Sequence, residues 1–162
     1  MTASSTTPRA ATTVTVAEIA AMENVDLGVT EWLTVDQDRI DLFADATDDH
    51  QWIHVDPERA ADGPFGHTIA HGYLTLALVP RLLDTLLTIT DQARGTNYGI
   101  DRVRFTHPVP VGAQIRLAAE LVTSRLREDG GVQYTVAVRV DIRGQDRPAM
   151  LGQIVYLTYP PA

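Results

Sequence analysis

Four of the five histidines, His50, His54, His67 and His71, fall within one short stretch, with Asp45, Asp48, Asp49, Asp56 and Asp62 among or beside them. Three chemistries compete for this cluster. The first is metal ligation. His50 and His54 are spaced i, i+4, as are His67 and His71, which on a helix puts two imidazoles on one face. The Glu that a His-Glu-x-x-His segment needs is absent, and Trp52-Ile53 and Asp56-Pro57 do not read as helix interior. The second reading is structural, and it is favoured for His50, His67 and His107, whose neighbours are polar, Gly, Thr or Pro. The third is a metal-free pair, Asp49 with His54, five residues apart on an irregular loop. A carboxylate and an imidazole suit proton transfer near neutral pH, and such a group contributes ~10²–10⁴-fold to a rate. Next comes His71-Gly72, in the first turn expected for a buried helix, where backbone N–H groups lack helical acceptors. The Gly72 N–H can hold a developing oxyanion; the alternative is a glycine kept for close packing.

These residues need elements to place them. Thr15 to Met22 reads as a short helix and Gly28 to Val35 as a first strand. Thr34-Val35-Asp36-Gln37 fits a capping box, and Ile40, Phe43, Ala44 and Thr47 follow at helical spacing, giving an amphipathic helix over about 35–46. Thr47 to Gly66 is a long polar loop with one helical turn opened by Asp56-Pro57. Long loops inside compact domains are usually functional. Thr68 to Thr88 is apolar nearly all round, which predicts a central buried helix, kinked or ended at Pro80. The second half alternates. Thr96–Thr106, Ile115–Leu126, Val132–Arg143 and Met150–Tyr159 are strands separated by turns such as Asp129-Gly130-Gly131. Successive hairpins then give an antiparallel sheet around one long helix, an α+β fold.

Composition removes whole classes of function. The chain has 162 residues and a net charge of −8, which argues for one domain and against nucleic acid. All 13 basic residues are Arg, so Schiff-base and phosphate-loop lysines are excluded. There is no Cys, hence no disulfide, thiol nucleophile or thiolate-ligated metal. No apolar run approaches the ~20 residues that span a bilayer, and residues 1–13 read as a disordered tail rather than a secretion signal. The expectation is a soluble cytoplasmic protein with residues 14–162 as its single domain.

At this point a family comes into view. Asp49-His50-Gln51-Trp52-Ile53-His54-Val55-Asp56-Pro57, followed by Phe65-Gly66-His67-Thr68-Ile69-Ala70-His71-Gly72, resembles the MaoC-like dehydratases. These are R-specific enoyl-CoA hydratases of the hydratase 2 type, with the hot-dog fold. Their pattern is roughly D-x-N-P-x-H-x-D, then F-x-x-x-I-x-H-G. The likeness runs from about Val35 to the C-terminus and includes Asn97-Tyr98-Gly99, Val103-Arg104-Phe105 and Pro108-Val109-Pro110-Val111-Gly112. Gln51 stands where Asn is usual and Trp52 where Pro is usual.

The resemblance implies reversible hydration of trans-2-enoyl-CoA to (R)-3-hydroxyacyl-CoA. Asp49 and His54 would be the catalytic pair, with the Gly72 N–H as oxyanion donor. His71, Tyr73, Tyr98 and Arg104 are the candidate substrate contacts; Arg102 and Arg59 are further candidates for the CoA phosphates. The acyl chain would lie near Tyr73, Leu74 and Ala77. No cofactor or metal is expected, with CoA serving as the substrate's carrier, and the protein is expected to be a homodimer. The competing readings are a dehydratase of carrier-protein-bound 3-hydroxyacyl chains, an acyl-CoA thioesterase on the same fold, and a non-catalytic binding module. The acidic net charge disfavours docking an acidic carrier protein.

Overall fold

The computed structural model describes residues 10–161. Strand β1 (Thr12–Val14) leads into α1 (Val16–Ile19), capped by a reciprocal Thr15–Glu18 box. Strands β2 (Val25–Val29) and β3 (Leu33–Thr34) precede helix α2 (Gln37–Thr47). Two short helices follow, α3 (Trp52–Val55) and α4 (Pro57–Ala61), and then α5 (Gly72–Ala77) and α6 (Val79–Leu83). The remainder is strand: β4 (Leu87–Ile89), β5 (Arg94–Phe105), β6 (Gln114–Leu126), β7 (Val132–Ile142) and β8 (Met150–Tyr159).

Several local expectations are corrected. Of the tail expected over 1–13, residues 1–9 lie outside the described residues, while Thr12 and Thr13 belong to β1 and pair in parallel with Leu87 and Thr88. The single strand expected over Gly28–Val35 is two, broken after Val29. Helix α2 is capped by Asp36 rather than Thr34. Its carboxylate accepts the Arg39 N–H at 3.0 Å, and an ionised acceptor suits the four orphan donors of a helix start. Gln37 is thereby released for another task. The buried helix begins at Gly72 rather than near Thr68, because the preceding residues are extended: Ile69 bridges Pro110, and the Ala70 N–H donates to the Val109 carbonyl. Its helical run is divided at Leu78. Pro80 then sits in the first turn of α6, where its missing N–H has no helical acceptor to lose.

The large sheet runs β2-β6-β7-β8-β5, with β3 also on β6. Strands β6, β7 and β8 are joined as consecutive antiparallel hairpins. Strand β5 departs from the successive-hairpin expectation, since it pairs with β8 and not with its sequence neighbour β6. The chain therefore crosses from one edge of the sheet to its interior between β5 and β6, and that crossing carries Thr106 to Ala113 past the start of α5. Alternation along β7 puts Val132, Tyr134, Val136, Val138 and Val140 inward, against Leu74, Leu78, Val79 and Leu82 of the helices. This is the expected α+β arrangement, a sheet wrapped on a central helix. Among the described residues, strand β5 has one neighbour, and it stays mostly exposed along its length. No helix among the described residues is long and apolar enough to cross a membrane.

Candidate active site

Helix α2 ends at Asp48, which takes a left-handed backbone conformation (φ 57°). Asp tolerates that region better than most residues, and after the reversal Asp49 stays half exposed, with its carboxylate 4.0 Å from His71 Nε2. Trp52-Ile53-His54-Val55 then forms one helical turn, contrary to the expectation that these residues lie outside a helix. Gln37 fixes this turn. Its amide donates to the His54 carbonyl and to Asp41, both at 2.7 Å, while its carbonyl accepts the Thr68 hydroxyl at 2.6 Å. Trp52, in the place where the family pattern usually has proline, packs on Gly63 and takes the Arg59 guanidinium over its ring at 4.5 Å.

The turn delivers a buried His54 whose Nδ1 lies 2.6 Å from the Ile69 carbonyl. A carbonyl can only accept, so Nδ1 carries the hydrogen and Nε2 keeps a lone pair when the ring is neutral. Burial is the main force on this ring and pushes its pKa down; the Ile69 bond and the Asp49 charge act in the opposite direction, and the neighbouring His71 adds to the lowering. Asp49, His54 and His71 each offer a ligand atom within 4.8 Å of the others. That gap between Asp49 and His54 is one that a single water can bridge with hydrogen bonds of about 2.8 Å on each side.

The metal pairs considered from spacing, His50 with His54 and His67 with His71, are not what the fold assembles. His50 points to Asp45 at 2.9 Å on the surface, a hydrogen bond that raises its pKa. His67 stands beside the Thr68 carbonyl at 3.0 Å. The close trio includes two imidazoles stacked at 3.8 Å with planes 25° apart. Among the described residues, this trio, rather than either of those pairs, is the donor set close enough to share an ion.

A cleft of about 300 Å³ opens on His54. Its wall includes Gly72, Thr75, Phe105, His107 and Val109. Gly72 begins α5, so its N–H has no helical acceptor. A Cβ built on Gly72 would come within 2.9 Å of the Phe105 ring, so the close-packing reason for glycine holds here too. Phe105 and His107 were missed as site residues: they come from the far end of β5 and the crossing after it, and nothing local in sequence joins them to His54. Gln37 was missed because its sequence position reads as half of a capping box.

The expected substrate contacts divide. His71 is buried behind His54. Tyr73 is exposed and meets Phe105 edge-on at 5.7 Å, whereas Leu74 belongs to the core. Tyr98 and Arg104 stand exposed on β5 outside the lining of the His54 cleft, and Arg104 donates to the Val103 carbonyl. A second cleft of about 420 Å³ lies at the opposite end of β8, lined by Asp84, Asn97, Tyr134 and Tyr156. Burial there pushes the Tyr134 pKa up to about 12.

Comparison with known proteins adds independent findings. Residues 13–142 match the MaoC like domain. The chain is 48% identical over 140 residues to 3-hydroxyacyl-thioester dehydratase Z of Mycobacterium tuberculosis, covering 86% of this chain and 93% of that protein. It is 47% identical over 136 residues to Nodulation protein N of Rhizobium leguminosarum bv. viciae, covering 83% and 84%. Its structure superimposes on an (R)-hydratase from A. caviae involved in PHA biosynthesis with a TM-score of 0.66 at 25% identity, covering 87% and 98%. The hot-dog fold expected from the motif is the fold these proteins share with it.

Proposed function

The chain belongs to the MaoC-like domain family and is a hydro-lyase, and from that premise we propose that it adds water reversibly to trans-2-enoyl-CoA, giving (R)-3-hydroxyacyl-CoA. The observation that carries this reading is the meeting of Asp49 and His54 within one water's span, where His54 opens on a cleft that Gly72 also lines and Asp49 does not.

Water held between the Asp49 carboxylate and His54 Nε2 gives up a proton to the pair as its oxygen bonds to the β-carbon. The π electrons of the double bond move toward the thioester, and negative charge gathers on its carbonyl oxygen. The Gly72 N–H meets that charge; one such donor is worth ~10²–10³ in rate. A proton then passes to the α-carbon, which restores the thioester. No metal or redox cofactor takes part, and CoA serves only as carrier. The exposed Arg104 is the proposed partner of a CoA phosphate, and Tyr73, edge-on to Phe105, flanks the path of the thioester.

The same reading makes the protein a cytoplasmic homodimer joined along β5. This strand is 12 residues long, has one sheet neighbour, and leaves Tyr98 and Ile100 more than half exposed. Unpaired edges of that kind are usually shielded or paired.

The test is loss of enoyl-thioester absorbance with trans-2-enoyl-CoA substrates, with the product's stereochemistry determined and a strong chelator present in parallel. Formation of the (R)-3-hydroxy product, insensitive to chelator, is expected. Release of free thiol instead would identify a thioesterase. Turnover only of carrier-protein thioesters would move the substrate class, and loss of activity with the chelator would restore a metal mechanism.

A further inference from the structure

His71 takes no part in the chemistry just described, yet it touches both catalytic side-chain positions. Its ring is stacked on His54 at 3.8 Å, and the Phe43 ring lies 5.0 Å away, tilted by 54°. Its Nε2 lies 2.9 Å from the backbone carbonyl of Asp49 and 4.0 Å from the Asp49 carboxylate. The residue is only 2% exposed, and it is absent from the wall of the His54 cleft.

Its Nδ1 is buried, and no group among the described residues hydrogen-bonds to it. An unpaired buried nitrogen is a cost that a phenylalanine ring of similar shape would avoid. The choice of imidazole is therefore explained by the other nitrogen, whose N–H donates to the Asp49 carbonyl. Asp49 needs that hold. It follows the left-handed Asp48, and its side chain is 54% exposed, so packing alone does not aim its carboxylate.

We propose that His71 is a positioning residue that fixes the Asp49 backbone and the His54 ring at the separation one water bridges. The proposal rests on the hydration reading and deepens it. His71 also precedes Gly72 directly, so one residue ties the carboxylate, the imidazole and the oxyanion donor into a single unit. Misplacement of a catalytic group by ~1 Å can cost about 10²-fold in rate.

Three measurements test it. Nitrogen-15 spectra of the imidazoles in the wild-type protein are expected to show His71 as the Nε2–H tautomer and His54 as the Nδ1–H tautomer. An Nδ1–H tautomer at His71 would remove the bond to Asp49 and overturn the proposal, whether or not any variant folds. His71→Phe keeps a ring on His54 but loses the donor; its kcat on crotonyl-CoA is expected to fall by about 10²-fold with KM little changed. His71→Gln keeps a donor at similar reach and is expected to recover most of that loss. A wild-type kcat in His71→Phe, or equal losses in the two variants, would contradict the proposal. Asp49→Asn and His54→Ala separate this from the parent reading. If both lose the reaction while His71→Phe keeps it, only the positioning role fails; if both keep it, the hydration reading fails first.

Discussion

His54 is buried while Asp49 stays half exposed, and this asymmetry sets the pH behaviour of the pair. Burial pushes the folded-state pKa of His54 below the ordinary histidine value of about 6.5, which the unfolded chain retains. As pH falls through that value, the unfolded chain binds a proton that folded His54 still refuses. The contribution of His54 to stability is therefore complete above about pH 6.5 and is lost as pH drops toward its folded pKa. Tm measured against pH is expected to decline more steeply on the acid side in the wild type than in His54→Gln; parallel curves would contradict the burial argument. The same neutrality extends activity downward, so the acid limb of kcat/KM is expected below the ordinary histidine range. In the sequence, spacing alone left Asp49 and His54 one of three readings, and the resemblance to the MaoC-like motif singled them out as a pair; the structure brings the two close together. The Ile69 carbonyl that sets the tautomer and the Gln37 amide that holds the turn were not legible, because both bonds join segments distant in sequence.

Among the elements, α5 and the end of β5 define the cleft together, and Gly72 is where they touch. Gly72→Ala would drive a methyl group to within 2.9 Å of the Phe105 ring. Overpacking of this kind costs ~1–3 kcal/mol. We expect Gly72→Ala to lower Tm and to reduce kcat, and the double substitution Gly72→Ala with Phe105→Leu to recover stability more than activity. Full recovery of both would leave Gly72 a packing residue only. Strand β7 was readable because its side chains alternate between a solvated and a buried face, and β6 and β8 because they are runs rich in Val, Ile, Leu, Tyr and Thr bounded by turn residues. The turn at 52–55 was not readable, since four residues cannot display a helical period. The position of β5 beside β8 was hidden for a different reason: sheet order is set by which faces meet in three dimensions, not by local pattern.

For the molecule as a whole, the free edge of β5 is the feature a single copy leaves unfinished. Ile100 and Phe105 face the same side as the core residues Ile154 and Met150 opposite them, yet each is about half exposed. Pairing of two β5 strands would supply the missing neighbour and shade these side chains. Sedimentation at micromolar concentration is expected to show a dimer, and Ile100→Asp to shift it toward monomer; a monomeric wild type would contradict the account of this edge. The acidic surface and the absence of Lys and Cys narrowed the chemistry before any fold was known, but neither could name a substrate. The central claim concerns one carboxylate and one imidazole acting on one water. It is tested most directly by the rate of crotonyl-CoA hydration in Asp49→Asn and His54→Ala, each confirmed folded. Each is expected to fall by at least ~10²-fold, the range for a general acid–base group. A near-wild-type rate in either variant would contradict the account.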